Sequence, residues 1–294
     1  MAIARWVAFH GNNPVKEITR KMVEGYTKAI GDLTDHRHLP PSERGSMMRV
    51  EKLPKVSAPT VERHLTSVKA LFSFALGKGW VTSNPATGVK PPKDERPKAG
   101  RRRSFTLEER KILMARAIEE FGADGDFTWL IRLGAYTGAR LEELAQLSKA
   151  NVRLIDGVPA IEIDDLEGRK LKNPASVRQI PLHSAIADDF LRFAKDGKHA
   201  SRVFASFRKD KTSRFSHALS SEFARVMDRA CLPDPRLVFH SLRHGLKKEM
   251  SNTHVDPDAR RAILGHTARD AHGEYEGHSL AALAVELNRV PVLF

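Results

Sequence analysis

Residues 137–147 read TGARLEELAQL, and this stretch determines the architecture of the second half of the chain. The segment before it, 126–136, predicts a strongly apolar helix. The tripeptide TGA then predicts a turn, so that Arg140 begins the next helix. The start of a helix offers unpaired N–H groups and the positive end of a dipole, which both favour an anion. The position of Arg140 therefore predicts contact with a phosphate.

Further residues suited to phosphate chemistry follow in separate segments. FHSLRH at 239–244 places His240 and Arg243 three positions apart, on one face of a helical turn. The guanidinium fork of arginine can bind two phosphate oxygens, and histidine can exchange a proton near neutral pH. Two arginines on one phosphate would neutralise charge on its non-bridging oxygens. Each preorganised contact of this kind is typically worth about a hundredfold or more in rate.

A lysine, a histidine and a tyrosine complete the ordered set: Lys172 in KNPASVRQIPLH (172–183), His266 in ILGH (263–266), and Tyr275. Free tyrosine has a pKa of about 10, and nearby arginines and a histidine would stabilise its phenolate as a nucleophile. Any one of these residues alone would most simply be a solvated charge or a structural histidine. Their order along the chain instead predicts attack on a phosphodiester.

A metal site is the alternative interpretation of His240 and His244, which are four residues apart on one helix face. A metalloprotease helix carries a glutamate between such histidines. Here Arg243 lies between them, and a cation is a poor neighbour for a metal ion. No acidic cluster marks a two-metal nuclease either. We expect no metal and no other cofactor.

The composition favours a polyanionic partner. The 294 residues include 49 Lys and Arg against 36 Asp and Glu, a formal net charge of +13. Such a charge most simply indicates nucleic acid. No apolar stretch has the length of a membrane span, the first residues do not form a secretory signal, and the single cysteine, Cys231, excludes a disulfide framework. We expect no membrane partner and a cytoplasmic, nucleoid-associated protein.

The chain divides into two predicted domains. Residues 1–90 are predicted to be a helical domain, with helices over 18–30 and 60–80 and Thr19 as a possible cap. Residues 91–103 (PPKDERPKAGRRR) are rich in proline and charge and predict a basic linker. Residues 104–294 form the second domain.

The second domain is predicted to be mainly α with a small antiparallel β-sheet, an α+β fold. Thr106 and Glu109 form a T-x-x-E capping box for its first helix. Strands over 152–155 and 160–163 flank Asp156-Gly157, a hairpin signal. A third strand is expected over 177–182, and the other predicted helices cover 184–195, 216–230, 240–251, 257–264 and 279–289.

These motifs together resemble those of the tyrosine recombinases, the phage-integrase family of site-specific DNA recombinases. The resemblance covers about residues 15–290. TGARLEELAQL resembles the motif of the first catalytic arginine, FHSLRH matches H-x-x-R, and ILGH resembles L-G-H. Tyr275 follows His266 by nine positions, the spacing expected for the family's nucleophile. Lys172 falls where the family's catalytic lysine lies, with Lys170 as the alternative.

The resemblance implies a C-shaped clamp on DNA, made by a core-binding domain (1–90) and a catalytic domain (104–294). Tyr275 would form a 3′-phosphotyrosyl link and leave a free 5′-hydroxyl, without metal or ATP. Lys172 would protonate the leaving oxygen, and His240 would assist proton transfer. His266 would hydrogen-bond the phosphate.

The implied partners are double-stranded attachment sites of a phage or other mobile element, bound by a homo-tetramer. A DNA-bending protein or an excisionase is the candidate accessory factor. The helix over 279–289 could pack on its own domain or, as we prefer, on a neighbouring protomer. The chain is also expected to lack the extra N-terminal arm-binding domain of many integrases.

Several alternatives stay open at this point. Glu143 could orient Arg140 or form a surface ion pair with it. Arg101, Arg102 and Arg103 could contact the DNA backbone or be solvated. A type IB topoisomerase would share the clamp and the tyrosine. A sequence-specific DNA-binding protein that has lost catalysis would bind without becoming covalently attached.

Overall fold

The computed structural model of the chain describes residues 2–35, 39, 41–43, 49–93, 102–165, 177–196, 201–265 and 278–294. Contacts between Cα atoms divide the chain into two compact units, Met1–Lys98 and Ala99–Phe294. Several of the predicted site residues lie outside the described residues, namely Arg101, Lys170, Lys172, His266 and Tyr275.

The first unit is built around three helices: α1 (Ala2–His10), α2 (Arg20–Asp32) and α3 (Ala58–Gly77). The latter two are the predicted helices, and the Thr19 side chain accepts a hydrogen bond from the N–H of Met22 at the start of α2. The apolar side chains of α2 and α3 meet in a core of their own. Each such side chain contributes about 1.5–3 kcal/mol when fully buried.

The second unit contains the remaining helices: α4 (Leu107–Phe121), α5 (Asp126–Thr137), α6 (Leu141–Ala145), α7 (Ala187–Asp196), α8 (Ser216–Arg229), α9 (His240–Asn252), α10 (Pro257–Leu264) and α11 (Leu280–Leu287). Helix α5 is central, because every residue from 127 to 137 except Arg132 is buried. It packs against α4 on one side and α9 on another. This burial explains why its sequence is apolar all round.

A three-stranded antiparallel sheet lies in the same unit, with strands β1 (Val152–Ile155), β2 (Val158–Ile163) and β3 (Arg178–Pro181) in the order β1-β2-β3. Asp156 and Gly157 both have positive φ, 49° and 77°, as a two-residue hairpin turn requires. The mainly α fold with a small antiparallel sheet is therefore confirmed.

Helix α7 begins later than predicted, at residue 187 instead of 184. The N–H of Ser184 donates to the side chain of Asn288, and the N–H of Ala185 donates to Nδ1 of His183. These backbone groups are satisfied by distant or neighbouring side chains, so the chain does not need to turn into a helix until Ala187.

The C-terminal segment packs on its own unit in the single chain. Helix α11 contacts β2, β3 and α10, and its Leu283 and Leu287 are buried. Beyond the helix, the N–H of Leu293 donates to the Tyr136 hydroxyl over 2.8 Å. Docking of this helix on a neighbouring protomer stays a prediction. Across the parts of the chain that the structure describes, none of the helices is both long and apolar enough for a membrane span.

The predicted capping box is present and gives a stability prediction. The Thr106 hydroxyl accepts from the N–H of Glu109 (3.2 Å), and the Glu109 carboxylate accepts from the N–H of Thr106 (2.8 Å). We expect Thr106→Ala to lower the free energy of unfolding by about 1 kcal/mol, because it leaves a helix N–H without a partner. Urea denaturation followed by circular dichroism measures this, with Thr106→Ser as a control that keeps the hydroxyl. Equal stability of the alanine and serine variants would contradict it.

Candidate active site

The candidate site is built around the carboxylate of Glu143, on the first turn of α6. One of its oxygens, Oε2, accepts from the backbone N–H of Arg140 over 2.9 Å. The other, Oε1, accepts from Nη1 of the same arginine over 2.5 Å. Only 3% of the Glu143 side chain is exposed, against 25% for Arg140. The pair is therefore not a surface ion pair: a buried carboxylate holds an arginine whose side chain reaches solvent.

A second arginine, Arg178 at the start of β3, binds the same carboxylate from the other side. Its Nη2 donates to Oε2 of Glu143 over 3.0 Å, and its Nε donates to the carbonyl oxygen of Ile263 over 3.0 Å. Burial alone would raise the pKa of the Glu143 carboxyl. The charge of Arg178 and the hydrogen bonds outweigh burial and hold that pKa below its usual value. Glu143 is thus an ionised carboxylate between two guanidinium groups.

Arg243 lies on α9, close to the end of α5. Its Nη1 donates to the carbonyl oxygen of Gly138 over 2.6 Å, and the residue is 5% exposed. Burial, followed by the charges of Arg140 and Arg178, lowers the pKa of Arg243 to about 10. Arg243 remains protonated at neutral pH, and the positive charges of all three arginines act on one region.

Gly138 allows these elements to approach. It ends α5 in the left-handed region, with φ of 60°. A Cβ atom here would lie 2.6 Å from Cδ2 of Leu264 and 3.2 Å from Cδ2 of Leu246. The TGA turn is therefore fixed by its close contact with α9 and α10, as well as by backbone conformation.

His240 is the first residue of α9. Its ring lies 4.8 Å, centroid to centroid, from the ring of His244, in an edge-to-face arrangement. Burial lowers the pKa of His240 to about 4, with further contributions from His244, Arg243, Arg102 and Arg140. The ring is therefore neutral at pH 7 while cations surround it. Among the described residues, no group of three or more His, Cys, Asp or Glu side chains is placed to hold a metal ion.

The structure thus brings three of the predicted catalytic residues, Arg140, His240 and Arg243, into one electrostatic cluster, together with Glu143. Lys172, His266 and Tyr275 lie outside the described residues. The sequence did not lead us to predict Arg178 as a site residue: its segment indicated only a strand and the position of Lys172. A signal was present: Arg178 is two positions from Ile180, which is fully buried on β3. A charge on the buried face of a strand needs an ionic partner.

The basic run at the start of the second unit is described at Arg102 and Arg103, and the two side chains have different surroundings. Arg103 forms two hydrogen bonds of 2.6 and 2.7 Å with the Glu109 carboxylate, and its Nε donates to Asp234 over 2.8 Å. If the Arg103 side chain were to bind the DNA backbone, its ion pairs with Glu109 and Asp234 would have to break. Arg102 is exposed, and its charge contributes to lowering the pKa of both His240 and His244.

Comparison with known proteins gives the family. Residues 107–279, more than half of the chain, match the sequence model of the phage integrase family. The chain belongs to the phage integrase family. The resemblance to tyrosine recombinases that its motifs indicated is therefore confirmed. A comparison of this family member with curated proteins found no match.

Solved structures of integrases share the fold of this family member. The Tn1549 transposon integrase in complex with transposon right end DNA has a TM-score of 0.64 at 16% identity, covering 99% of this chain and 88% of that one. A lambda integrase dimer bound to a COC′ core site has a TM-score of 0.60 at 17% identity, covering 93% and 86%. At these identities the likeness establishes the fold.

The environment of His240 predicts an unusual titration. We expect its ring to titrate near pH 4, well below the usual value of about 6.5, because burial and nearby cations disfavour the imidazolium. The unfolded chain then binds more protons than the folded one between these values, so this residue lowers stability as pH falls from about 6.5 towards 4. NMR titration of the histidine ring signals measures the pKa.

Two variants test whether nearby cations contribute to the lowered pKa of His240. Arg102→Gln removes one of the cations and should raise the pKa of His240. Lys248→Gln removes an exposed cation from the same helix that is not among the charges acting on His240, and should leave it unchanged. A midpoint near 6.5 in the unmodified protein would contradict the described environment.

Proposed function

We propose that this protein is a site-specific DNA recombinase that cleaves and rejoins DNA through a covalent bond to Tyr275. The observation that carries the proposal is the cluster of Arg140, His240 and Arg243. These residues come from separate segments of the sequence. In the folded unit the charges of Arg243 and Arg140 contribute, after burial, to lowering the pKa of His240, and the charge of Arg140 contributes in the same way to lowering that of Arg243. They also match the family's motifs residue by residue.

The two arginines suit the transition state of phosphoryl transfer. Negative charge develops on the non-bridging oxygens of the scissile phosphate as the nucleophile attacks. Arg140 is held by Glu143, and Arg243 by the carbonyl of Gly138, so both guanidinium groups are oriented before DNA arrives. Donors that are already in place cost no reorganisation during the reaction, and each is typically worth about a hundredfold or more.

The sequence contains two other tyrosines, Tyr26 and Tyr136, and both are poor candidates for the nucleophile. The Tyr26 hydroxyl donates to the carbonyl of Ala2, and burial raises the pKa of Tyr26 to about 12. The Tyr136 hydroxyl accepts from the N–H of Leu293, and burial raises the pKa of Tyr136 as well. Both phenols belong to apolar cores and are poorly suited to form a phenolate.

The proposed reaction conserves the number of phosphoester bonds. The phenolic oxygen of Tyr275 attacks phosphorus, the bond from phosphorus to the 5′ oxygen breaks, and Lys172 gives that oxygen a proton. Neutral His240 assists by accepting the phenolic proton, and the phosphate brings negative charge that raises the pKa of its ring. His266 hydrogen-bonds the phosphate. A 5′-hydroxyl from another strand then reverses the reaction, so neither ATP nor a metal is consumed.

The proposed partners follow from the chemistry. Strand exchange between two duplexes requires four cleavages, so a homo-tetramer would supply one tyrosine for each. The structure of the lambda integrase contains a core site, and that of the Tn1549 integrase contains transposon right end DNA. We propose attachment sites of a phage or other mobile element as the DNA partner here, with a DNA-bending protein or an excisionase as accessory factor.

Covalent trapping tests the proposed nucleophile. The protein is incubated in EDTA with sheared DNA from its own genome and denatured in SDS, and the DNA that stays attached is sequenced. We expect an adduct with the unmodified protein and none with Tyr275→Phe. Tyr26→Phe and Tyr136→Phe are the matched controls, and both should keep the adduct because their hydroxyls serve the cores.

The outcomes separate the competing functions. An adduct that survives Tyr275→Phe would contradict the assigned nucleophile. Binding without any adduct would indicate a DNA-binding protein that has lost catalysis. If the protein forms an adduct at single sites and relaxes supercoiled DNA, but does not join two duplexes, it would be a topoisomerase.

The salt dependence of DNA binding tests the phosphate contacts. A protein with about six to ten phosphate contacts loses about 10³- to 10⁵-fold in affinity between about 50 and 200 mM salt, because bound counterions are released. We expect a fall of this order in fluorescence anisotropy with a duplex recovered by trapping. Arg140→Gln should reduce the slope of log affinity against log salt by about one.

Arg153→Gln is the control for this measurement. Arg153 is an exposed arginine on β1, paired with Glu162 over 2.7 Å, and its removal should leave the slope unchanged. Affinity that does not depend on salt would count against DNA as the partner.

A further inference from the structure

We propose that Arg178 is a positioning residue for DNA cleavage, which fixes Arg140 through Glu143 and ties both to the end of α10. The inference rests on the proposed function, because Arg140 is the group that would touch the phosphate. Arg178 itself has a side chain that is only 7% exposed. Its donors are directed at Glu143 and at the carbonyl of Ile263, so we assign it a role through these neighbours.

The two arginines share the carboxylate of Glu143. Oε1 of Glu143 is bound by Nη1 of Arg140, while Oε2 is bound by the backbone N–H of Arg140 and by Nη2 of Arg178. Without Arg178, Oε2 would lose one hydrogen bond and the buried carboxylate would lose a compensating charge. The carboxylate could then rotate or take up a proton, and either change would release the Arg140 guanidinium from its orientation.

Arg178 also contacts the end of α10. Its Nε donates to the carbonyl of Ile263, and Gly265, with φ of 64°, packs directly against the guanidinium. A Cβ atom at position 265 would lie 2.9 Å from Nε and 3.0 Å from Cζ of Arg178. The end of α10 is thus shaped around this side chain. One guanidinium therefore sets the position of α6 relative to α10.

The contacts at position 178 require an arginine. Arg178 donates from Nη2 in one direction and from Nε in another, which the rigid guanidinium fork allows. A lysine would keep the charge but has one nitrogen on a flexible stem. A buried ion pair contributes little to stability compared with apolar packing. The arrangement is better explained by the orientation that it imposes on Arg140.

The test uses a duplex recovered by covalent trapping and measures single-turnover adduct formation. We expect Arg178→Lys to slow the reaction about a hundredfold, the typical cost of displacing a reacting group by about 1 Å, with little change in DNA affinity. The matched control is Arg153→Gln. Arg153 lies on β1, at the edge of the sheet opposite β3, and forms an exposed pair with Glu162 of the middle strand. This control should cleave at the unmodified rate.

A second substrate separates positioning from a structural role. Replacing one non-bridging oxygen of the scissile phosphate with a methyl group removes its charge. If Arg178 serves to keep Arg140 on that charge, Arg178→Lys and Arg140→Gln should both recover most of their lost rate on this neutral DNA. A defect that is equally large on both substrates would overturn the inference.

A double-mutant cycle with Glu143→Gln provides an independent test. If Arg178 acts through Glu143, adding Arg178→Lys to Glu143→Gln should slow cleavage little further, whereas independent effects would multiply. Multiplying effects would overturn the inference. Should Arg178→Lys fail to fold, Arg178→Gln takes its place in both tests, because it removes the charge beside Glu143 at the same position.

The result distinguishes this inference from the function on which it rests. No adduct with the unmodified protein would mean that the proposed function fails. An adduct with the unmodified protein, together with an Arg178→Lys variant as fast as Arg153→Gln, would overturn the role of Arg178 and leave the proposed function intact.

Discussion

The buried carboxylate of Glu143 is the constraint on which the arrangement of the site depends. It is 3% exposed and accepts hydrogen bonds from Arg140 and Arg178. A buried anion must be compensated, so α6 and β3 have to bring their arginines to it. Arg178 in turn reaches the end of α10. The requirement to neutralise one side chain thereby places three elements of the second unit relative to each other.

The charge distribution around this carboxylate suits an anionic ligand. Three arginines, Arg140, Arg178 and Arg243, lie around this one carboxylate. Burial, and then the charges of Arg140 and Arg178, lower the pKa of Arg243 to about 10. His240 adds no charge at neutral pH, because its pKa is held near 4. Like charges that act on one another in this way also attract an anion placed beside them.

Local signals in the sequence predicted much of the fold. The capping box at Thr106 and the hairpin turn at Asp156 depend on neighbouring residues alone, so they could be identified correctly. Arg178 could not, because its role depends on Glu143 and Ile263, which are distant in sequence. The start of α7 was misplaced for the same reason, since Asn288 supplies a hydrogen bond from far along the chain. Motif order, by contrast, was sufficient to indicate the family.

The hydrogen bond from the N–H of Leu293 to the Tyr136 hydroxyl has a consequence for protein synthesis. Tyr136 lies on the central helix, and Leu287 and Leu293 complete the core around it. Contacts between residues so distant in sequence require the loop-closure entropy to be paid first. A nascent chain that has emerged only as far as α10 already contains Arg140 and Arg243, yet its core is open. Closure of this core, and with it the final placement of the elements that carry Arg140 and Arg243, therefore has to wait until almost the entire unit has been translated.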